Sequence, residues 1–232
     1  MDKAICIIPA RSGSKRIKNK NIKLFNGKPI ISYAIRFAKS TGLFKKIVVS
    51  TDSYKISKIA KRYGAEVPFL RSKRLSNDFA PTKDVIIDCI KRISSENTKY
   101  HFILYPTSIL LLKKDFLLSF KKIKKYNYDF LVAVTDYAYS PYRAFKFIGK
   151  KRISFQSKKY INYRSQDLPR LIHDTGSFYI WKTKALLKYK GKMPKKSTYH
   201  LLDRYRSVDI NTEQDFKLAT LLNKFLKSWV YS

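Results

Sequence analysis

The strongest constraint on the fold is an alternation along the chain. Short β-branched runs recur between segments whose apolar residues repeat every three to four positions, and strands separated by such helices pair in one sheet through crossovers. The chain therefore reads as α/β, with strands expected at Ala4 to Ile8, Lys46 to Ser50, His101 to Tyr105, Phe130 to Thr135, Ser177 to Trp181 and Ser207 to Ile210. A helix from Ile30 to Lys39 follows Pro29 and stops before Gly42, and one from Tyr54 to Tyr63 follows Ser53 and stops at Gly64. A third, Asp84 to Ile93, sets Ile86, Cys89, Ile90 and Ile93 on one face. The last carries Leu218, Leu221, Leu222, Phe225, Leu226 and Trp229 at the same spacing, after a Thr212 and Asp215 pair that resembles a capping box.

The stretch from about Asp136 to Pro169 breaks this rhythm. It is rich in Tyr and Phe, and FKFIGKKRISF around Gly149 reads as a hairpin, so an excursion from the sheet is expected there. At 232 residues, 44% of them hydrophobic, one domain over residues 1–232 suffices to enclose a core.

The formal net charge of +34 by itself points to nucleic acid, an anionic lipid surface or a polyanionic substrate. The lysines are spread along the whole chain, including helix faces such as Lys55 to Arg62 and Lys121 to Lys125. Most of them therefore read as a solvated surface, with functional cations a small subset. The apolar run Ala4 to Ala10 is too short to span a bilayer and lacks the basic flank and cleavage site of a signal peptide, so a cytoplasmic protein is expected. Cys6 and Cys89 fall in apolar patterns without metal-ligand spacing and read as core residues.

Directly after the first strand comes PARSGSKRIKNKNI, in which Arg11, Lys15, Arg16, Lys18 and Lys20 alternate with small and polar residues, with Lys23 just beyond. A small-residue loop at the carboxyl end of a parallel strand presents backbone N–H groups to a phosphate. Neither G-x-x-x-x-G-K-[ST] nor G-x-G-x-x-G is present. What remains is Ser12, Gly13 and Ser14 for close backbone approach, with Arg11, Lys15 and Lys20 as candidate phosphate clamps.

This stretch resembles the first motif of the nonulosonic acid cytidylyltransferases, P-A-R-x-G-S-K-x-I-x-x-K-N, and the resemblance stays in register along nearly the whole chain. VSTDS, GAEVPFLRSKRLSND, YPTS, YRSQDLPRLIHDTGSFYIW and VDINTEQDF each match a further family segment. Tyr before Pro-Thr-Ser, Arg-Ser-Gln-Asp and His-Asp-x-Gly-x-Phe-Tyr are most similar to the pseudaminic acid branch. Legionaminic and N-acetylneuraminic acid enzymes, with the same fold and mechanism, are the nearest alternative. The resemblance implies a three-layer nucleotide-diphospho-sugar transferase (Rossmann-like) fold with a mainly parallel mixed sheet. It also implies CTP and a nonulosonic acid as substrates, Mg²⁺ as the divalent cation, and a CMP-sugar used to decorate flagellin or lipopolysaccharide. The family reading makes the protein a homodimer, in which the excursion docks on the second subunit and completes the neighbour's acceptor site.

Carried over position by position, the resemblance puts Ala10, Arg11, Ser12, Gly13, Ser14 and Lys15 in the nucleotide loop. Arg11, Ser14 and Lys15 would cradle the β- and γ-phosphates, and Lys20 would stabilise charge on the α-phosphate. Asn21, Arg71, Asp78 and Thr82 correspond to positions near cytosine and ribose, and Tyr105, Arg143, Arg164, Gln166 and His173 to positions facing the acceptor. Asp209 and Asn211 stand at the family's metal-binding Asp-x-Asp, and Arg11, Lys20 and Asp209 form the expected catalytic set. Asn211 is a departure, since an amide offers a hard cation one neutral oxygen. Ser12, Ile109 and Leu111 are others, the last pointing away from the sialic acid enzymes. A different class of function, RNA or anionic-lipid binding on an inactive transferase scaffold, is raised by the charge and by Asn211; it requires basic residues clustered with aromatics on one surface. Weighed against the motifs, small-molecule substrates are expected, and nucleic acid and membrane are not.

Overall fold

The computed structural model describes residues 4–230, with side chains described through residue 226. In chain order the elements are β1 (Ala4–Pro9), β2 (Leu24–Phe25), β3 (Lys28–Pro29), α1 (Ile30–Thr41), β4 (Phe44–Ser50), α2 (Tyr54–Arg62), α3 (Thr82–Arg92) and β5 (Tyr100–Leu104). There follow α4 (Lys113–Lys125), β6 (Phe130–Asp136), β7 (Phe145–Ile148), β8 (Arg152–Phe155), β9 (Ile172–Lys182), α5 (Thr183–Tyr189), β10 (Ser197–Leu201) and α6 (Glu213–Val230).

Six strands form one sheet in the order β10-β6-β9-β5-β1-β4. Only β9 runs against its neighbours, β5 and β6; the pairings of β1 with β4, β1 with β5 and β10 with β6 are parallel. Central strands covered on both faces need apolar side chains throughout, and the AICIIP of β1 supplies them. Cys6 and Ile8 point into a cluster with Ile31 and Ile35 of α1 and Phe116 and Phe120 of α4. Ile5 and Ile7 point the other way, toward Ile86, Cys89 and Ile90 of α3 and Leu186 of α5. Three layers result. In the first cluster Phe116 meets Phe178 at 4.7 Å and Phe102 at 5.1 Å between ring centroids. Such pairs contribute about 0.5–1.5 kcal/mol each beyond burial. Cys6 and Cys89 are free and buried, and burial pushes both thiols up, as a core role requires.

The helix ends follow the expected chemistry. Ser53 caps α2 by accepting from the Ile56 N–H, and α1 stops at Gly42, whose φ of +69° only glycine adopts without strain. The Thr212 and Asp215 box also forms, with Thr212 N–H donating at 2.7 Å to Asp215 Oδ2 and Asp215 N–H at 3.2 Å to Thr212 Oγ1.

Three expectations are corrected. Ser207 to Ile210 is not a strand; the sixth strand is the polar edge segment β10, and Ile210 is apolar because it enters a small cluster with Ile17, Phe25 and Phe216. The buried face of α6 is Phe216, Ala219 and Asn223, while Leu218 and Leu221 are exposed and Phe225 is half exposed; the Trp229 side chain lies outside the described residues. That face is rotated because Phe216 packs edge-on against Phe25, 5.7 Å between centroids. Finally, α3 begins two residues early, so Thr82 opens it.

The excursion leaves the sheet between β6 and β9. Its hairpin, β7 with β8, forms a separate two-stranded sheet, and Gly149 takes the positive φ at the turn. At its neck Arg170 holds Asp136 through two hydrogen bonds of 2.6 and 2.7 Å. Phe145, Phe147 and Ile153 on the hairpin are exposed.

Candidate active-site cleft

Because β1 lies between β4 and β5, the chain leaves it to one side and later returns on the other, and the loops after β1, β4 and β5 diverge. In open α/β sheets ligands enter the crevice at this switch point, at the carboxyl ends of the strands. Here the crevice is a cleft of about 310 Å³ walled by Arg11, Ser14, Lys15, Arg16, Lys20, Asn21, Arg71, Asp78, Thr82, Tyr105 and Asn211, among others. Four separate chain segments thus place cations or hydrogen-bonding groups around one space.

The loop after β1 is fixed from below. Ala10 is buried, and its N–H continues the ladder to Ser50 O at 2.9 Å. Asp52, just beyond β4, accepts from the Ser12 N–H at 2.8 Å and from its hydroxyl at 2.6 Å, and Asn21 Nδ2 donates to Arg11 O at 2.9 Å. The Ser14 N–H is turned onto Ser12 O at 2.8 Å. Two loop amides expected to face a phosphate are therefore already engaged, and the loop offers its side chains instead. The hydroxyl of Ser12, where the family usually has Gly, has a role as a tether. Asp52 was missed as a site residue at the sequence level; its position in VSTDS at a strand end was the available clue. Gly13 sits beside an adjoining groove with Ser12, Lys18 and Asn19.

On the far wall Arg71 is only 5% exposed. Its N–H donates to Thr51 O at 2.8 Å, and Nε meets Ser76 Oγ at 3.2 Å. Nη2 is buried with no acceptor among the described residues. Burial lowers the guanidinium's pKa, against the attraction of Asp52. Asp78 pairs with Arg11 at 2.8 Å and Lys15 at 2.5 Å, and the hydrogen bond from Lys15, with Arg11 beside it, holds its carboxyl below the ordinary range. Thr82 Oγ1 accepts from Tyr105 OH at 3.1 Å, which brings the N-terminus of α3 to the end of β5.

The third wall is the turn before α6. Lys20 Nζ donates 2.7 Å to Ile210 O; burial lowers its pKa, with Asp209 acting in the opposite direction. Asn211 Nδ2 donates 2.5 Å to Asp209 Oδ2 and Asn211 Oδ1 accepts 2.7 Å from Arg16. Gly176, at φ +60°, lies beside Asp209, whose Cγ would be 3.8 Å from an added Cβ, an ordinary contact, so it is the backbone angle that favours glycine there. No group of three or more His, Cys, Asp or Glu among the described residues could hold a metal by itself. Asp209 offers one exposed carboxylate, which suits Mg²⁺ completing its shell with phosphate and water. Asn211 does not fit the metal role, because its only hard donor atom is taken by Arg16.

The remaining acceptor positions do not line this cleft. Arg143 donates to Tyr163 O and Arg164 pairs with Asp167 at 2.8 Å, both within the excursion, as is Gln166. His173 is the second residue of β9, with Nδ1 2.9 Å from the Asp174 backbone oxygen and its ring 4.7 Å from that of Tyr137. Asp174 accepts from Gly176 N–H and, at 2.6 Å, from Tyr179 OH.

Comparison with known proteins places this cleft in context. The cytidylyltransferase family model matches residues 5–221. A pseudaminic acid cytidylyltransferase of Campylobacter jejuni is 39% identical over 96% of this chain and 97% of its own. A CMP-N,N'-diacetyllegionaminic acid synthase of the same species is 32% identical over 96% and 95%. Among solved structures, a CMP:2-keto-3-deoxy-manno-octonic acid synthetase complexed with CTP superposes with a TM-score of 0.71, covering 96% of this chain and 98% of that one at 14% identity. The switch-point sheet, the cation-lined cleft and the family match lead to one conclusion: this chain belongs to the cytidylyltransferase family and is a nucleotidyltransferase.

Proposed function

We propose that the chain activates pseudaminic acid, converting CTP and pseudaminate into CMP-pseudaminate and pyrophosphate. The observation that carries the substrate assignment is the 39% identity, over nearly the full length of both chains, to a protein named for that acid. The convergence of Arg11, Lys15, Lys20 and Arg71 on one cleft supports the nucleotide half.

The anomeric hydroxyl oxygen of the sugar acid attacks the α-phosphorus in line. The bond from that phosphorus to the α,β-bridging oxygen breaks, pyrophosphate leaves, and the hydroxyl proton is released. Arg11, Ser14 and Lys15 hold the β- and γ-phosphates, and Lys20 holds the α-phosphate as charge develops, an electrostatic role favoured by its half-buried setting. The triphosphate competes with Asp78 for Arg11 and Lys15, freeing Asp78 for the ribose beside Asn21 and Thr82. Arg71 offers its unpaired donor to the acceptor edge of cytosine. Asp209 would hold Mg²⁺, which would supply charge neutralisation when bound.

Tyr105 is the acceptor contact within the cleft. Arg143, Arg164, Gln166 and His173 serve the neighbouring copy of a homodimer, an assignment supported by the exposed apolar hairpin beside them. The whole chain acts as one domain in the cytoplasm, and its product feeds flagellin or lipopolysaccharide decoration. A protein of Campylobacter coli named post-translational flagellin modification protein B, 34% identical over 97% of this chain, supports that pathway.

Pyrophosphate release from CTP and Mg²⁺ with pseudaminic, legionaminic and N-acetylneuraminic acids offered separately tests the reading. Turnover with the first alone is expected. Preference for another reassigns the acceptor, and no release with any of them overturns the proposal.

A further inference from the structure

The amide at position 211 is engaged on both sides. Arg16 Nη2 donates 2.7 Å to Asn211 Oδ1, and Asn211 Nδ2 donates 2.5 Å to Asp209 Oδ2. A guanidinium only donates and a carboxylate only accepts, so one orientation of the amide satisfies both neighbours. The backbone beneath is held as well, with Asn211 N–H donating 2.9 Å to Asp215 Oδ2 of the capping box. Arg16 reaches this point from the loop after β1, 195 positions earlier in the chain. Its neighbour Ile17 is 1% exposed and packs with Ile210 and Phe216, which joins the first loop to the turn before α6. Arg16 is thereby fixed on the cleft wall that also carries Lys20 and Asn211, with one donor used and the rest of its fork available.

We propose that Arg16 is a further triphosphate-binding residue, positioned by Asn211, whose fixed charge makes nucleotide binding by this chain less dependent on divalent metal. The inference rests on the reading of the chain as a CTP-using enzyme. Relative to a pair of aspartates, Asn211 removes one negative charge beside Asp209, and Arg16 sets a permanent positive charge against it. A triphosphate entering the cleft then meets a guanidinium suited to bidentate contact with phosphate oxygens at the place where a second carboxylate would have required a cation. With Asp at 211, the same arginine would be neutralised by an ion pair, and the two carboxylates would repel each other and the phosphates until a metal bound.

The test is equilibrium binding of CTP by calorimetry, with EDTA and with Mg²⁺, to the wild-type chain and to Arg16→Gln, Arg16→Lys and Asn211→Asp. The quantity read is the ratio of the metal-free to the metal-bound Kd. Arg16→Gln is expected to raise that ratio about ten-fold or more, the scale of one charge-assisted hydrogen bond. Arg16→Lys is expected to restore part of it, and Asn211→Asp to raise it while tightening Mn²⁺ binding to the CTP complex as read by electron paramagnetic resonance. An unchanged ratio in Arg16→Gln, or equal weakening under both conditions, overturns the inference and leaves the transferase reading intact. Failure of the wild-type chain to bind CTP even with Mg²⁺ overturns both.

Discussion

Replacing Arg71 by Met isolates the contribution of one buried guanidinium to nucleotide choice. Arg71 is 5% exposed, Nε is held by Ser76, and Nη2 has no acceptor among the described residues. A ligand oxygen or ring nitrogen that satisfies Nη2 gains a hydrogen bond to a charged group, about 1.5–3 kcal/mol. At about 1.4 kcal/mol per decade, losing it raises the Kd for CTP roughly 10- to 100-fold. Cytosine presents an acceptor at N3 where uracil presents an N–H, so the wild-type chain should prefer CTP to UTP and the Met variant should lose most of that preference. Folding should respond in the opposite sense. The apolar replacement removes a desolvated charge that the fold does not fully compensate, so the urea midpoint should not fall. Calorimetric titration with both nucleotides and a urea melt give the required numbers. An unchanged CTP to UTP ratio, or a large loss of stability with equal loss of both nucleotides, would refute this account of Arg71.

Three further outcomes follow from the same geometry. Lys20→Gln should lower kcat by about 10²- to 10³-fold, the scale of one lost oxyanion contact. Since the ammonium form is the useful one and burial lowers its pKa, wild-type kcat should decline with rising pH below the ordinary lysine range, and the variant should lack that limb. Asp115→Ala removes the 2.5 Å pair with the 8%-exposed Arg206 and the carboxylate that accepts from Leu112 N–H at the start of α4, and should cost about 3–5 kcal/mol in urea unfolding. Burial pushes the Asp115 carboxyl up, but hydrogen bonds from His200, Arg206 and the Leu112 N–H outweigh it and depress the pKa. Its stabilisation is therefore complete above the unfolded value of about 3.9 and is lost as pH falls through the lower folded value. A melt of Asp115→Asn against pH should lack that acid limb. Gly176→Ala should lose about 1–2 kcal/mol through its φ of +60°, read from a thermal melt, because the added methyl itself would make only ordinary contact with Asp209, 3.8 Å from its Cγ.

What could be read in advance divides along physical lines. Core strands and amphipathic helices announce themselves, because burial on both faces of β1 leaves an unbroken apolar run and burial on one face of α3 leaves a helical period. Edge strand β10 did not, since STYHL is half solvated and polar, whereas Val208 and Ile210 look strand-like only because an irregular turn packs them under α6. The face of α6 was misjudged for a related reason: its neighbour is the β2 to β3 ribbon, too short to show in the pattern. The motifs located the cleft, yet its internal bonds join residues far apart. Arg16 and Asn211 are 195 positions apart and Ser12 and Asp52 are 40, distances at which spacing carries no information. Loop amides were overestimated because the ability of Asp52 to consume one emerges only once β4 is laid beside β1.

The central claim is that the cytidylyl group moves to the sugar acid's anomeric oxygen. The most direct measurement follows atoms. Pseudaminic acid carrying heavy oxygen in its anomeric hydroxyl is incubated with CTP labelled at the α-phosphorus, and both products are analysed by mass spectrometry. The account predicts that the heavy oxygen becomes the bridge to the labelled phosphorus in the CMP-sugar, with unlabelled pyrophosphate released. Heavy oxygen lost to water, labelled phosphorus left in free CMP, or orthophosphate in place of pyrophosphate would contradict it.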